Sequence, residues 1–306
     1  MSNRQYKNIP ASVRQRLLNK ARAEHRPFNE LLVYFAMERF LYRLSQSRHA
    51  DRFVLKGALM LTAWEAPLSR PTRDIDLLGF ADNDLDTIVA KVREVCDQVV
   101  ETDGIEFDTN SVRGDRIKED ADYEGVRVIF DATLDAAKVK MQIDIAFGDV
   151  VVPQPVVIDY PTLLDLPAPR LRGYTMESAV AEKFEAAVRL DLVNSRMKDF
   201  YDIQFLARNF PFEGSILTEA VRRTFENRGT NLTSRPTLFT DRFAKDDQLT
   251  KRWSAFVNRF RSSDQTLEFI DLMDRIHRFL GPITDAVANG RDFALTWPPG
   301  GPWEGP

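Results

Sequence analysis

Hydrophobic residues recur every three to four positions through residues 10–50, and this spacing predicts two amphipathic helices. The first, PASVRQRLLNKARAEH, places Val13, Leu17 and Ala21 on one face. The second, RPFNELLVYFAMERFLYRLSQS, carries an apolar stripe of the same period. We therefore expect residues 1–50 to form a helical lead-in.

After residue 50 the apolar runs become short and rich in β-branched residues. FVLKG, DIDLLGF, VRVIFDATL and KVKMQIDIAFGD predict strands, whereas ALMLTAWEA and DNDLDTIVAKVREVCDQVV predict helices. Residues 103–125 are acidic with few apolar positions, which predicts turns and one irregular strand. This order of elements is typical of an α+β unit with a small mixed sheet, and we place it at residues 51–165.

A proline-rich stretch, VVVPQPVVIDYPTLLDLPAPRL, separates the strand-forming half from a helical half. MESAVAEKFEAAVRLDL, KDFYDIQFLARNF, GSILTEAVRRTFENRG and SDQTLEFIDLMDRIHRFLGPITDAVANG all show helical periodicity. We therefore expect a helical domain over residues 166–296. The ending WPPGGPWEGP predicts a flexible tail over residues 297–306, because its prolines and glycines disfavour helix and central strand.

The composition excludes several classes of protein. A single cysteine, Cys96, excludes a disulfide framework and a cysteine zinc site. Without a basic and apolar leader, or an apolar run of about eighteen residues, we expect a cytoplasmic protein with no membrane contact. Residues 1–50 carry ten Lys or Arg against three Asp or Glu, a net +7, which suits a phosphate backbone. Residues 74–124 carry a net −11, from sixteen acidic and five basic side chains.

Two aspartates stand one residue apart in RPTRDIDLLGF. In extended chain Asp74 and Asp76 point the same way, so their like charges repel unless a cation or a proton lies between them. Leu78 excludes both an EF-hand loop, which needs an acidic or amide residue there, and an aspartyl-nucleophile phosphatase, which needs a small hydroxyl. Two alternatives stay open: ion pairs with Arg70 and Arg73, or a divalent metal.

A lysine–glycine pair lies upstream, where FVLKGALMLTAW passes from a strand to a helix. Gly57 would let the backbone approach a ligand closely, and the N–H groups of the following helix would face an anion. Taken alone, Lys56-Gly57 is equally consistent with an ordinary tight turn. Beside the aspartate pair, it predicts a phosphate site next to carboxylates, as metal-dependent nucleotidyl transfer requires.

A third carboxylate is expected from KVKMQIDIAFGD. In this strand Asp144 shares one face with Lys140 and Gln142, and apolar residues occupy the other face. A carboxylate buried there without a partner would be costly, and a shared metal would remove that cost. Asp131, in VIFDATL, is the alternative. In the helical half, Lys183 is a candidate phosphate contact, and Asp199 lies three residues before Asp202 on one helix face. Ordinary surface ion pairs with neighbouring basic residues explain these helices equally well.

The series LKG…RPTRDIDL, MQIDIAFGD and AEKFEAAVRL…RMKDFYDI, over about residues 50–205, resembles the AbiEii/AbiGii family of nucleotidyltransferase toxins from bacterial toxin–antitoxin and abortive-infection systems. Relatives include mycobacterial toxins that add nucleotides to tRNA acceptor ends. The resemblance implies a polymerase-β-like nucleotidyltransferase core, preceded here by helices and followed by a helical domain. One departure is Gly57-Ala58, where the wider fold often has Gly-Ser or Gly-Gly. The gap from Gly57 to Asp74 is also longer than in minimal members.

The resemblance assigns roles by motif position. It implies that Asp74, Asp76 and Asp144 bind metal. The implied catalytic set is Asp74, Asp76, Asp144, Lys183, Asp199 and Asp202. The candidates for nucleotide binding are Lys56, Gly57, Arg70, Thr72, Arg73 and Lys183.

From these residues we expect an enzyme that uses Mg²⁺ or Mn²⁺ to transfer nucleotides from an NTP to a tRNA 3′ end. The expected partners are the tRNA acceptor and a cognate antitoxin or transcriptional regulator encoded nearby, and the chain is expected to be a monomer or a weak oligomer. Two alternatives remain: nucleotidylation of a protein hydroxyl, and a non-catalytic binding protein with a degenerate site.

Overall fold

A computed structural model describes residues 8–64, 71–80, 83–119, 123–260 and 267–305. The chain divides into two compact units. The sheet unit runs to Gly148 and also includes Val156–Gly173, and the helical unit comprises Asp149–Pro155 and the chain from Tyr174 onward. Among the described residues, no helix combines the length and the apolar character needed to cross a bilayer.

The sheet unit contains four helices and seven strands within its described residues. The helices are α1 (Ile9–Ala23), α2 (Phe28–Gln46), α3 (Leu59–Ala63) and α4 (Leu85–Cys96). The strands are β1 (Phe53–Lys56), β2 (Ile75–Gly79), β3 (Ile105–Glu119), β4 (Tyr123–Leu134), β5 (Ala137–Phe147), β6 (Val156–Asp159) and β7 (Arg170–Gly173).

These strands form one mixed sheet in the order β3-β4-β5-β2-β1-β7-β6. The β2–β5 and β1–β7 pairs are parallel, whereas β1–β2, β3–β4, β4–β5 and β6–β7 are antiparallel. The chain therefore crosses from β2 to the far edge of the sheet and returns through β4 to β5, which lies beside β2. The predicted α+β class, with a mixed sheet and helices before and after it, is confirmed.

The lead-in helices α1 and α2 belong to the sheet unit and bury their apolar stripes there. The α1 stripe, Val13, Leu17 and Ala21, is buried, and α2 is buried around most of its circumference. Part of the basic charge of this segment is neutralised by a buried ion pair. The Arg43 guanidinium lies 2.7 Å from a carboxylate oxygen of Asp103, and both side chains are buried. The net charge of residues 1–50 thus overstates the basic surface.

Of the turns and the one irregular strand predicted over residues 103–125, the irregular strand is confirmed and occupies most of the segment. This segment contains β3, a fifteen-residue strand paired along β4, with a register shift between Asp108 and Arg113. β3 is the edge strand of the sheet, and most of its charged side chains are exposed, so they need no buried partner. A polar edge strand has the composition of a loop, and only its pairing with β4 distinguishes the two.

The helical unit contains six helices and one short two-stranded pair among its described residues. The helices are α5 (Met176–Leu190), α6 (Met197–Asn209), α7 (Gly214–Asn227), α8 (Asp241–Ala244), α9 (Asp247–Phe260) and α10 (Phe269–Ala288). The short strands are β8 (Phe212–Glu213) and β9 (Thr296–Trp297), which pair antiparallel. The sequence patterns indicate α5, α6, α7 and α10, whereas α8 and α9 were not predicted.

The C-terminal segment differs from the predicted loose tail. Trp297 is buried, and its indole N–H donates to the Ala207 carbonyl at 2.7 Å. The ring of Trp303 stacks on Phe279, with centroids 5.8 Å apart, and its N–H donates to the Phe279 carbonyl. Two tryptophans therefore anchor a stretch that has too many prolines and glycines for a helix.

The segment Asp149–Pro155 belongs to the helical unit although β5 precedes it and β6 follows it. The Val152 carbonyl accepts hydrogen bonds from the hydroxyls of Thr175 (2.6 Å) and Ser178 (3.0 Å), at the start of α5. Arg228 donates to Asp149 at 2.8 Å. This segment is thus tied to helices that follow it in the chain.

Candidate functional site

Three carboxylates meet in the sheet unit. Parallel pairing of β2 with β5 places Asp76 directly beside Asp144, and Asp74 stands one residue before β2 on the same face as Asp76. One oxygen from each of the three lies within 4.8 Å of the others, and all three residues are half-buried. Asp131, the alternative third carboxylate, is exposed on β4 opposite Lys140 and lies outside this cluster.

Gly57 is required by the approach of Asp76. Antiparallel pairing of β1 with β2 sets Lys56 opposite Asp76, and the chain then turns at Gly57 with φ +70°. A Cβ at this position would lie 1.9 Å from Asp76 Oδ2, so any side chain would displace the carboxylate or the turn. The glycine therefore serves the carboxylate cluster directly.

The helix that follows Gly57 is short. α3 has only five residues, Leu59–Ala63, so it carries little of the macrodipole of a long helix. The close approach of the backbone at Gly57, with Lys56 next to it, stays the predicted phosphate site.

Thr72 orients the first carboxylate. Its hydroxyl donates to Asp74 Oδ1 at 2.5 Å, and its backbone N–H donates to the Tyr34 hydroxyl on α2 at 3.1 Å. Within the described part of the chain, Arg73 is exposed and makes no ion pair with the aspartates. Arg70 lies outside the described residues.

Arg127, on β4, is a member of the site that the sequence patterns did not reveal. It lies opposite Asp144 in the β4–β5 register, and its Nε and Nη2 donate to the two oxygens of Asp144 at 2.8 and 2.7 Å. The hydrogen bond with Asp144 raises the pKa of the Arg127 guanidinium, and the negative charges of Asp144, Asp74 and Asp76 add to that effect. The side-chain amide of Gln142 also points at Asp144, 3.3 and 3.2 Å from its oxygens.

The predicted lysine and aspartates of the helical half form a second cluster, within the helical unit. Lys183 Nζ, on α5, lies 3.3 Å from Asp199 Oδ1 and 2.9 Å from Asp202 Oδ2, both on α6. Arg196 Nε donates to the other oxygen of Asp199 at 2.6 Å. Both aspartates are almost fully buried, so these contacts are not the surface ion pairs that helical spacing alone allows.

The charges around Asp199 stabilise its ionised form. Burial alone would raise the pKa of this carboxyl, but the positive charges of Lys183, Arg196 and Lys198 lower it to about 2. The lysine ammonium is consequently held in one position by two buried anions. A fixed ammonium of this kind is suited to an electrostatic contact with phosphate.

Residues 39–279 match the family model of the nucleotidyl transferase AbiEii toxin of type IV toxin–antitoxin systems. Two solved structures from Helicobacter pylori are similar. JHP933 is 15% identical with a TM-score of 0.48, over 86% of this chain and 93% of its own. A candidate nucleotidyltransferase is 16% identical with a TM-score of 0.47, over 86% of this chain and 96% of its own. No curated protein matches the chain.

Proposed function

We propose that this chain, which belongs to the AbiEii family of nucleotidyl transferase toxins of type IV toxin–antitoxin systems, holds Mg²⁺ or Mn²⁺ at its three clustered carboxylates and transfers nucleotides from an NTP. The predicted family is confirmed, and with it the class of toxin. The observation that carries the proposal is the convergence of Asp74, Asp76 and Asp144 within 4.8 Å.

The chemistry of these side chains fits a divalent ion. Carboxylate oxygens are the ligands that Mg²⁺ and Mn²⁺ prefer, and three negative charges this close together attract a divalent cation. When bound, the metal supplies the polarisation of the phosphate and the activation of an acceptor hydroxyl that nucleotidyl transfer needs.

The chain's own residues have separate tasks in this proposal. Gly57 leaves room for Asp76, and Thr72 fixes the orientation of Asp74. The proposed contacts to the nucleotide phosphates are Lys56, Arg70 and Arg73. Lys183 is proposed to bind phosphate, with Asp199 and Asp202 holding its ammonium in place.

The acceptor that we propose is a tRNA 3′ end. Support comes from the resemblance to relatives that modify tRNA and from basic side chains exposed on α1, including Arg16 and Arg22. Membership of a toxin–antitoxin family implies a cognate antitoxin, and we propose that a regulator encoded beside this chain provides it.

The test is transfer of label from each α-³²P-labelled NTP, with Mg²⁺, to total tRNA or to total protein. Asp76→Asn removes one predicted ligand, and Asp131→Asn is the matched control because Asp131 is exposed and outside the cluster. We expect the Asp76 variant to lose more than about 100-fold in rate, since even outer-shell partners of a metal cost 10–100-fold. The control should keep the wild-type rate.

Each outcome of this experiment has a distinct meaning. Transfer that survives Asp76→Asn would disprove the assignment of the site. Label that runs with protein would reject tRNA as the acceptor and favour nucleotidylation of a protein hydroxyl. Absence of transfer, together with an unfolding midpoint that NTP and Mg²⁺ do not raise, would favour a non-catalytic protein.

A further inference from the structure

Asp144 differs from the other two clustered carboxylates because both of its oxygens accept hydrogen bonds from one arginine. The Nε and Nη2 atoms of Arg127 donate to Oδ1 and Oδ2 at 2.8 and 2.7 Å, which is the parallel fork of a two-point guanidinium–carboxylate pair. The position expected to bind a metal therefore already faces a positive charge supplied by the chain.

This pair is placed by the sheet itself. Arg127 and Asp144 are directly opposite in the antiparallel β4–β5 ladder, so the contact follows from the register of the two strands. The guanidinium also faces the charges of Asp74 and Asp76, which help to raise its pKa. Arg127 thus offsets part of the repulsion among the three carboxylates.

The exposure of the two side chains shows which partner can leave. The Arg127 side chain is 41% exposed, whereas that of Asp144 is 15% exposed. A guanidinium at this position can turn toward solvent at little desolvation cost. Gln142, on the same strand as Asp144, keeps an amide within 3.3 Å of each oxygen, so the carboxylate retains a partner when the arginine moves.

We propose that Arg127 is an internal counter-ion that competes with the divalent metal for Asp144, and that metal binding frees its guanidinium for the phosphates of the incoming nucleotide. The inference rests on the proposed function, because it requires the three carboxylates to be a metal site. A guanidinium that binds a carboxylate through two parallel hydrogen bonds can bind two phosphate oxygens in the same way. The exchange would couple metal binding to triphosphate binding.

The test measures Mn²⁺ binding to the full chain without nucleotide, by electron paramagnetic resonance of free Mn²⁺. Arg127→Met removes the charge and keeps the length, and Arg127→Lys keeps the charge without the fork. Arg113→Met is the matched control, because it removes an exposed arginine from the neighbouring strand β3 of the same sheet. Circular dichroism and thermal unfolding establish that each variant is folded.

We expect Arg127→Met to bind Mn²⁺ about tenfold more tightly than wild type, because a competing cation is gone. Arg127→Lys should lie between the two, and Arg113→Met should match wild type. The opposite change is expected for inorganic tripolyphosphate with Mg²⁺, which probes phosphate contacts without a base: Arg127→Met should bind it more weakly.

Unchanged or weaker Mn²⁺ binding in both Arg127 variants would overturn the inference and make Arg127 a fixed support for Asp144. If Arg127→Met does not fold, the lysine variant decides alone, and Mn²⁺ binding no tighter than wild type refutes competition. Mn²⁺ binding that is equal in wild type and Asp76→Asn would instead refute the metal site of the proposed function. That result is distinguishable from the first, because it does not depend on any Arg127 variant.

Discussion

Substitution of Gly57 by alanine tests whether the glycine turn exists to admit Asp76. The new Cβ would lie 1.9 Å from Asp76 Oδ2, and side chains do not approach a Cβ closer than 3.0 Å. The carboxylate or the turn must therefore move by roughly 1 Å, whereas metal sites tolerate ligand distances within about 0.2 Å. We expect Gly57→Ala to lose most of its affinity for Mn²⁺.

The matched control is Gly148→Ala. Gly148 also has positive φ, +81°, but a Cβ there would meet no atom within 4 Å. Both substitutions place an alanine in the left-handed region, which costs about 1–2 kcal/mol. For a unit of this size, a loss of about 1 kcal/mol lowers Tm by about 2–4 °C. The control should show that loss alone, with its Mn²⁺ affinity intact.

The assay is a Mn²⁺ titration with a thermal unfolding curve for each variant. Gly57→Ala should unfold at a lower temperature than Gly148→Ala, because the clash adds to the backbone cost. Equal Tm values, together with undiminished Mn²⁺ affinity in Gly57→Ala, would show that the turn adapts and that Asp76 does not dictate the glycine.

Two further predictions concern the lysine cluster of the helical unit. The pKa of Asp199 is about 2 in the folded chain and 3.8 ordinarily, so its ionisation stabilises the fold above about pH 4. As the pH falls toward 2, the free energy of unfolding should decrease by about 2 kcal/mol. The urea midpoint of Asp199→Asn should fall less steeply over that interval, and parallel curves would contradict this assignment. Lys183→Met leaves Asp199 and Asp202 without their shared cation, so it should lower the free energy of unfolding by about 3–5 kcal/mol in urea melts. Lys251→Met, at an exposed position of α9 in the same unit, should change it by less than about 0.5 kcal/mol. Equal changes in the free energy of unfolding for the two lysine substitutions would show that Lys183 has no special structural role.

The sequence predicts those parts of the site that depend on local geometry. Period two in an extended chain is sufficient to place Asp74 and Asp76 on one face, and a glycine between a strand and a helix is sufficient to indicate a close approach. The family motif supplied Lys183 with its two aspartates, although not their burial. The cost of burying a lone carboxylate favoured Asp144 over Asp131, in agreement with their positions in the sheet.

The remaining parts depend on pairings between distant segments. Arg127 contacts Asp144 only because β4 and β5 pair in one particular register, and a shift of one residue would turn the guanidinium to the other face. The polar edge strand β3 is likewise defined by its partner and not by its own composition. Trp297 and Trp303 anchor the C-terminus through contacts with α6 and α10 that no local pattern encodes.

The path of the chain limits how this protein can be dissected. The chain changes unit after Gly148, after Pro155 and after Gly173, so no single cut separates the two units. A fragment that stops at Gly173 would contain Val152 and Asp149 without Thr175, Ser178 and Arg228, their partners. On the ribosome, Asp149–Pro155 is synthesised before any of these partners. Completion of the fold therefore requires the C-terminal half, and a nascent chain that contains all three clustered carboxylates is not yet a finished enzyme.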